Sequence, residues 1–479
     1  MPTQASRIRW NSVFALLSQA IRFLTNFFVF VGVARFYGPD AFGQFTTAHS
    51  ISTIFLLFAD FGFDTLLATE IARHRERAET LALRYFSLKI VFALAATGAM
   101  LLLPVFRSMT PSTTTLVWIF GFYVLFASMN NFFFALFKGF EQFHHETKIS
   151  FSINLILLLI IVVLGILHAP LAAIAAVFVG TRIIGLVYGL RIASRIAGLH
   201  AFRVSLSGWR EVWRNVLVFG SYSIFGNLFF LIDTMLLAFL RGDRDVGVYQ
   251  SVFKIAVLVL IIPDIAINTM MPVLSRLHQA NEHQWHVFGR LLNKTLCLLS
   301  LPVSLILFVY PGEVMSLVYG PKLFSEAIPI LRLFAVIVFI RYGVEAYALM
   351  LTTSRRQKTR TVIVFLGTLI NILLNLWFIP AYGPWGAAVV SLATNLFVGL
   401  GYILLSGMPV LQWTFGLRNT ILMACSAALG VLLWNARVIP LPYAAVLIAA
   451  LYACGFYFIG FTRDELAVIF SKERGAVAT

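Results

Sequence analysis

Runs of about 20 apolar residues, broken by short polar or glycine-containing turns, recur along the whole chain. At 1.5 Å of rise per residue, each run is long enough to cross the hydrocarbon core of a bilayer. The pattern predicts about fourteen helices, with approximate spans 10–36, 42–69, 85–103, 113–137, 151–167, 170–190, 215–240, 246–271, 295–310, 327–352, 361–379, 384–406, 417–434 and 441–461. The expected fold class is an all-α polytopic membrane protein. The first run is too long for a cleaved signal peptide and carries Arg22 inside it, so it counts as a helix. No connecting segment is large enough for a separate water-soluble domain.

The pattern also repeats. An offset of 204 residues lays Gly38 on Gly242, Gly43 on Gly247 and Asp60 on Asp264 without a gap. Two turn glycines and an acid within an apolar span are kept in register. Because the offset covers six helices, an even number, both copies enter the membrane from the same side. The predicted organisation is two pseudo-symmetric six-helix lobes plus two C-terminal helices. Residues 1–190 form the first lobe and 215–406 the second. A basic amphipathic connector at 191–214 lies between them, on the membrane surface, and 407–479 carries helices 13 and 14 with a tail.

Charges inside apolar spans stand out next, because each costs roughly 2.5–3.5 kcal/mol at a bilayer centre. Asp233 and Lys254 lie at equal distances on either side of the turn Arg241 to Asp245, so a hairpin puts them at one depth, where they can pair or face a wet cavity. Arg341 and Glu345 pair at i, i+4. Asp264 follows Pro263, whose ring frees a backbone carbonyl and allows a kink. Asp60 and Asp64 fall one helical turn apart at the end of helix 2. Arg22, midway along helix 1, and Arg182, in helix 6, have no acid at helical spacing, and Lys89 is expected to snorkel to the interface. Arg22, Arg182, Lys254 and Arg341 therefore form a candidate site for an anionic, phosphate-bearing group. Asp60, Asp233, Asp264 and Glu345 are candidate charge-pairing and ion-coupling groups, for a proton or sodium ion.

Composition narrows the classes. Hydrophobic residues make up 60% and charged residues 12% of the chain, against about 25% charged in soluble proteins. The net charge of +16 would suit nucleic acid, but Lys and Arg concentrate in alternate connections. That is a positive-inside bias, which places both termini in the cytoplasm and leaves membrane lipids, not nucleic acid, as the charged partner. Cys297, Cys425 and Cys454 all fall in apolar spans and are expected to be core residues, with no metal or disulfide framework. No Walker loop, zinc-protease motif or nucleophile elbow is present, so neither a cofactor nor a catalytic residue is assigned. Similar scaffolds carrying unequal charge suit a transporter driven by an ion gradient or membrane potential.

Four stretches carry a family likeness: Arg35-Phe-Tyr-Gly-Pro-Asp-Ala-Phe-Gly-Gln-Phe45; Asp60-Phe-Gly-Phe-Asp64 followed by Glu70-Ile-Ala-Arg73; Ile232-Asp-Thr-Met-Leu-Leu237 with Val246-Gly-Val-Tyr-Gln-Ser251; and Ile379-Pro-Ala-Tyr-Gly-Pro-Trp-Gly-Ala-Ala388. In that order they resemble the bacterial polysaccharide transporters, the Wzx-type flippases of the multidrug/oligosaccharidyl-lipid/polysaccharide superfamily. The resemblance implies translocation of an undecaprenyl-diphosphate-linked oligosaccharide from the cytoplasmic to the periplasmic leaflet of the inner membrane. It also implies a cationic cavity, which Arg22, Lys254 and Arg341 would line, and work alongside polysaccharide polymerase and ligase machinery. A cation-coupled drug antiporter shares the two-lobe plan but favours acidic cavities. A membrane-embedded polymerase needs a sizeable external loop, and the largest, from Tyr310 to Ala327, carries only Glu313, Lys322 and Glu326.

Overall fold

The longest helices each contain one residue that is not helical. In α1 (Gln4–Asp60) it is Gly38, at φ 79° and ψ 178°. In the helix Gln357–Ser406 it is Gly383, at φ 57° and ψ −137°. Both sit at turns expected from the sequence, between helices 1 and 2 and between helices 11 and 12. A side chain with a Cβ is strained at such φ values, so glycine is the residue that lets the chain turn there.

The computed structural model describes residues 4–197, 231–407, 416–436 and 440–455, with single positions 213, 216, 220, 228 and 229. After α1 come α2 (Phe63–Arg73), α3 (Ala78–Phe106), α4 (Pro111–Gly139), α5 (Phe143–Ile166) and α6 (Leu171–Ala197). The short apolar helix α7 (Leu231–Leu240) precedes α8 (Asp243–Ala280), α9 (Glu282–Val309) and α10 (Pro311–Tyr319). Then follow α11 (Ile328–Thr353), α12 (Gln357–Ser406), α13 (Leu417–Ala436) and α14 (Leu441–Gly455). Among the described residues nine helical segments are long and apolar enough to cross a membrane, and the described elements contain no strand. This is an all-helical, multi-pass membrane protein. The first half of predicted helix 7 and most of the basic connector, including Trp209, lie outside the described residues, as does the side chain of Cys454.

Several helices outrun their predicted spans, because hydropathy marks only the lipid-facing part and the polar end turns continue the helix. Thus α3 begins at Ala78, α6 runs on through Arg191 and Arg195, and α9 begins at Glu282. Predicted helix 2 is instead broken: Phe61 and Gly62 take φ values of 29° and 77°, and the chain restarts as α2. The segment expected as an external loop between Tyr310 and Ala327 holds α10 and a turn of 3-10 helix at Ser325–Ala327. Cys297 is buried, whereas Cys425 is exposed on its helix, contrary to the expectation of a core position. In a membrane span, exposure toward lipid is as favourable for a thiol as core burial.

The chain forms two compact units. The first comprises Met1–Leu258, Val318–Phe324 and Val364–Val390; the second comprises Val259–Leu317, Ser325–Ile363 and Ser391–Thr479. In the first, α1 packs against α3, α4 and α5, and α4 packs against α2, α3 and α6. Its core gathers Phe63, Leu67, Phe132, Phe133, Leu136, Phe137 and Ile153. In the second, α9 packs against α11, and α13 and α14 close over α9 through Leu298, Leu301, Leu433 and Ile448. Large apolar side chains such as Leu155, Leu159, Val163 and Ile166 on α5 remain exposed, as a lipid-facing helix requires.

Within the first unit the two glycines aligned by the 204-residue offset meet. A Cβ on Gly247 would lie 2.8 Å from the Pro39 carbonyl oxygen and 3.0 Å from the Gly43 Cα. These are backbone atoms that no rotamer change can move. Gly247→Val is therefore expected to destabilise the protein by about 1–3 kcal/mol or more, as overpacking does, read as a lower melting temperature in detergent. Gly32→Ala, where a Cβ meets nothing within 4 Å, should leave it nearly unchanged.

Candidate functional site

The helices of the first unit line a half-open cavity of about 930 Å³. Its charged lining consists of Arg22, Arg73, Lys138 and Arg182 against Asp64 and Glu146, four cations to two carboxylates among the described residues. Asn26, Asn131, Asn154, His49 and Tyr123 add uncharged hydrogen-bonding groups. A cavity of this size, walled by membrane-crossing helices and lined by surplus positive charge, is suited to a hydrated anion.

At one end Arg22 donates to Glu146 Oε1 at 2.9 Å, and Lys138 Nζ stands 3.3 Å from Glu146 Oε2. One carboxylate thus joins α1, α4 and α5. Ser18 Oγ donates to Thr147 Oγ1 at 2.7 Å beside it. Tyr37 Oη, one hydrogen bond away from the Ala169 carbonyl at 2.6 Å, fixes the far end of the same helix pair. Arg22 is therefore level with the first turn of α5, about 22 Å short of Tyr37 at 1.5 Å per residue. The sequence offers it no acid at helical spacing, and the structure supplies one from another helix. Its partner is 124 residues away and invisible to helical spacing.

Lys89 does not reach the interface. Its side chain is 0% exposed, paired with Asp60 at 3.0 Å and with Asp64. The break at Phe61 and Gly62 means that the two acids do not follow one another on a continuous helix, yet both converge on this ammonium. Asp60 also accepts from Ser128 Oγ at 2.7 Å and Asn131 Nδ2 at 2.8 Å, both on α4.

The inner part of the cavity is aromatic. His49 lies in contact with the rings of Phe30, Phe120, Tyr123 and Phe178. Arg182 places its guanidinium over the Tyr123 ring, 5.4 Å from the centroid. Lys254 sits over Phe30, 3.6 Å from its centroid, and is not among the residues lining the cavity. It does not pair with Asp233. That carboxylate, 4% exposed, accepts from Tyr249 Oη and Asn375 Nδ2, each at 2.7 Å. The equal depth inferred from the hairpin does not bring the two charges together, because aromatic and amide groups supply both with partners. His49, Lys138, Glu146 and Asn375 escaped the sequence reading. Lys138 and Glu146 fell in the connection between the predicted spans 113–137 and 151–167, where charge is ordinary and marks no site.

The second unit holds Asp264, Arg341 and Glu345. Arg341 donates to Glu345 at 2.8 Å, the expected i, i+4 pair. Asp264 lies within electrostatic range of both. On the same stretch of α8, the Val259 carbonyl accepts from Tyr342 Oη at 2.7 Å.

The family model described as "Polysaccharide biosynthesis protein" matches residues 8–278, more than half of the chain. The chain belongs to the polysaccharide biosynthesis protein family. A second model, MatE, matches residues 222–377 of this family member. It is 27% identical over 264 residues to the probable flippase AglR of Haloferax volcanii, a match that takes in 50% of this chain and 52% of that relative. The chain thus spans about half the length of the curated relative it matches. Among solved structures, the fold resembles the lipid II flippase MurJ, with a TM-score of 0.73 at 13% identity, covering 92% of this chain and 99% of that one. It also resembles an inward-facing multidrug resistance MATE transporter of the MOP superfamily, with a TM-score of 0.65 at 16% identity, covering 82% and 95%. The fold is that of MOP-superfamily flippases and transporters.

Proposed function

We propose that this protein flips an undecaprenyl-diphosphate-linked oligosaccharide from the cytoplasmic to the periplasmic leaflet of a bacterial inner membrane. The observation that carries this reading is the cavity of about 930 Å³ with cations in excess over carboxylates, in a member of the polysaccharide biosynthesis protein family. The diphosphate is held by Arg22, with Arg182 further in, while the sugars meet the amides and rings of the lining and the lipid tail stays in the bilayer. In the second unit Arg341, beside Glu345, is a further candidate for a phosphate group, and two six-helix lobes alternate between inward-open and outward-open states. Lys254 adds positive potential from its place over Phe30. Proton or sodium binding at Asp60, Asp233 or Asp264, the last beside Glu345, biases that equilibrium. Both termini are cytoplasmic, and the product passes to the polymerase and ligase machinery.

The MatE match keeps a cation-coupled drug antiporter as the second reading. Purified protein in liposomes, given a fluorescent undecaprenyl-diphosphate sugar in one leaflet and an impermeant quencher, distinguishes the two. Protein-dependent exposure of the labelled lipid is expected. Ion-driven uptake of a cationic dye with no lipid exposure would decide for the antiporter.

A further inference from the structure

We infer that Glu146 sets a charge threshold for the cavity, occupying the Arg22–Lys138 site as an internal anion that a diphosphate displaces and a singly charged phospholipid headgroup does not. The inference rests on the diphosphate reading and adds to it the residue that discriminates against the bulk membrane.

A cationic cavity that accepts a lipid-linked substrate from the membrane faces abundant anionic phospholipid. Those headgroups offer the same phosphate chemistry as the substrate, differing mainly in carrying a single charge. A bare Arg–Lys pair would bind them as well. Here the pair is not bare. Glu146 is 2% exposed, and its two oxygens are divided between the cations, at 2.9 Å from Arg22 and 3.3 Å from Lys138. It is seated in the first turn of α5, where the helix dipole favours a negative group. A ligand must therefore compete with a carboxylate already desolvated and paired twice. A singly charged headgroup replaces one negative charge with another and gains nothing. A diphosphate brings more charge and more acceptor oxygens to the same two cations, so exchange favours it. The released carboxylate stays in the first turn of α5.

The exchange also has a mechanical consequence. Glu146 connects α5 to α1 and α4. When the substrate takes the two cations, that side-chain link is lost while the cations remain on α1 and α4, so substrate binding loosens α5 at this end. A ligand that leaves Glu146 in place does not trigger it.

The test is binding of two probes, undecaprenyl diphosphate and phosphatidylglycerol, to detergent-solubilised full-length protein. Wild type is expected to bind the first and discriminate against the second. Glu146→Gln should raise affinity for phosphatidylglycerol by about tenfold, equivalent to about 1.4 kcal/mol, and so narrow the ratio between the probes. Should Glu146→Gln fail to fold with two cations facing each other, Glu146→Asp, whose shorter side chain draws the carboxylate back from both cations, should still bind phosphatidylglycerol more tightly than wild type, by a smaller factor. If phosphatidylglycerol binding stays unchanged in the folded variant while Arg22→Gln weakens the diphosphate, Glu146 is no filter and the flippase reading stands. If wild type and variants alike ignore undecaprenyl diphosphate, the reading and the inference fall together.

Discussion

Replacing Lys89 with methionine is expected to destabilise the protein by about 3–5 kcal/mol, the cost of breaking a buried ion pair from one side. The ammonium is fully buried and the only cation in ion-pair contact with Asp60 and Asp64 among the described residues. Removing it leaves two carboxylates close together beneath the break at Phe61 and Gly62, with Ser128 and Asn131 hydrogen-bonded to only one of them. A lower melting temperature in detergent and poor membrane yield are the expected signs. Adding Asp60→Asn and Asp64→Asn should recover most of the loss, because the cost lies in the unpaired charges and not in the missing lysine stem. A lysine that merely snorkelled would give no effect in the single variant and nothing to recover in the triple.

This cluster shows how much the sequence disclosed. Helix positions were legible because a period of apolar residues long enough for a bilayer has few other meanings. The turns at Gly38 and Gly383 were legible because glycine marks special backbone angles, whereas the repeat only aligned Gly43 with Gly247 and the packing shows that they meet. Lys89 was misplaced for a definite reason. Hydropathy starts helix 3 at residue 85, which puts the lysine one turn in, whereas α3 begins at Ala78 and puts it three turns in. The site was less legible than the fold. Arg341 and Glu345 are local in sequence and were found. Arg22 and Glu146 are 124 residues apart, and only the packing of α1 on α5 brings them together. His49 was hidden differently: an isolated histidine in a helix says nothing until the rings of Phe120, Tyr123 and Phe178 gather around it.

Arg22→Ala is expected to reduce lipid transport by at least about tenfold while leaving the fold intact. Removing an interaction of a charge-assisted kind costs about 1.5–3 kcal/mol, which corresponds to such a factor. The fold should survive because Glu146 keeps Lys138 at 3.3 Å and is not left as an unpaired buried charge. Ser18 and Thr147 continue to tie α1 to α5. Equal melting temperatures with lost lipid exposure in the liposome assay would place the defect in substrate handling. A fall in stability as large as that of Lys89→Met would instead make Arg22 a structural residue.

The most direct test of the account is the leaflet distribution of undecaprenyl-linked oligosaccharide in cells lacking this protein, with and without plasmid-borne wild type or Arg22→Ala. Accumulation in the cytoplasmic leaflet, cleared by wild type and not by Arg22→Ala at equal expression, is the predicted result. No accumulation of lipid-linked sugar, together with raised sensitivity to cationic drugs, would contradict it.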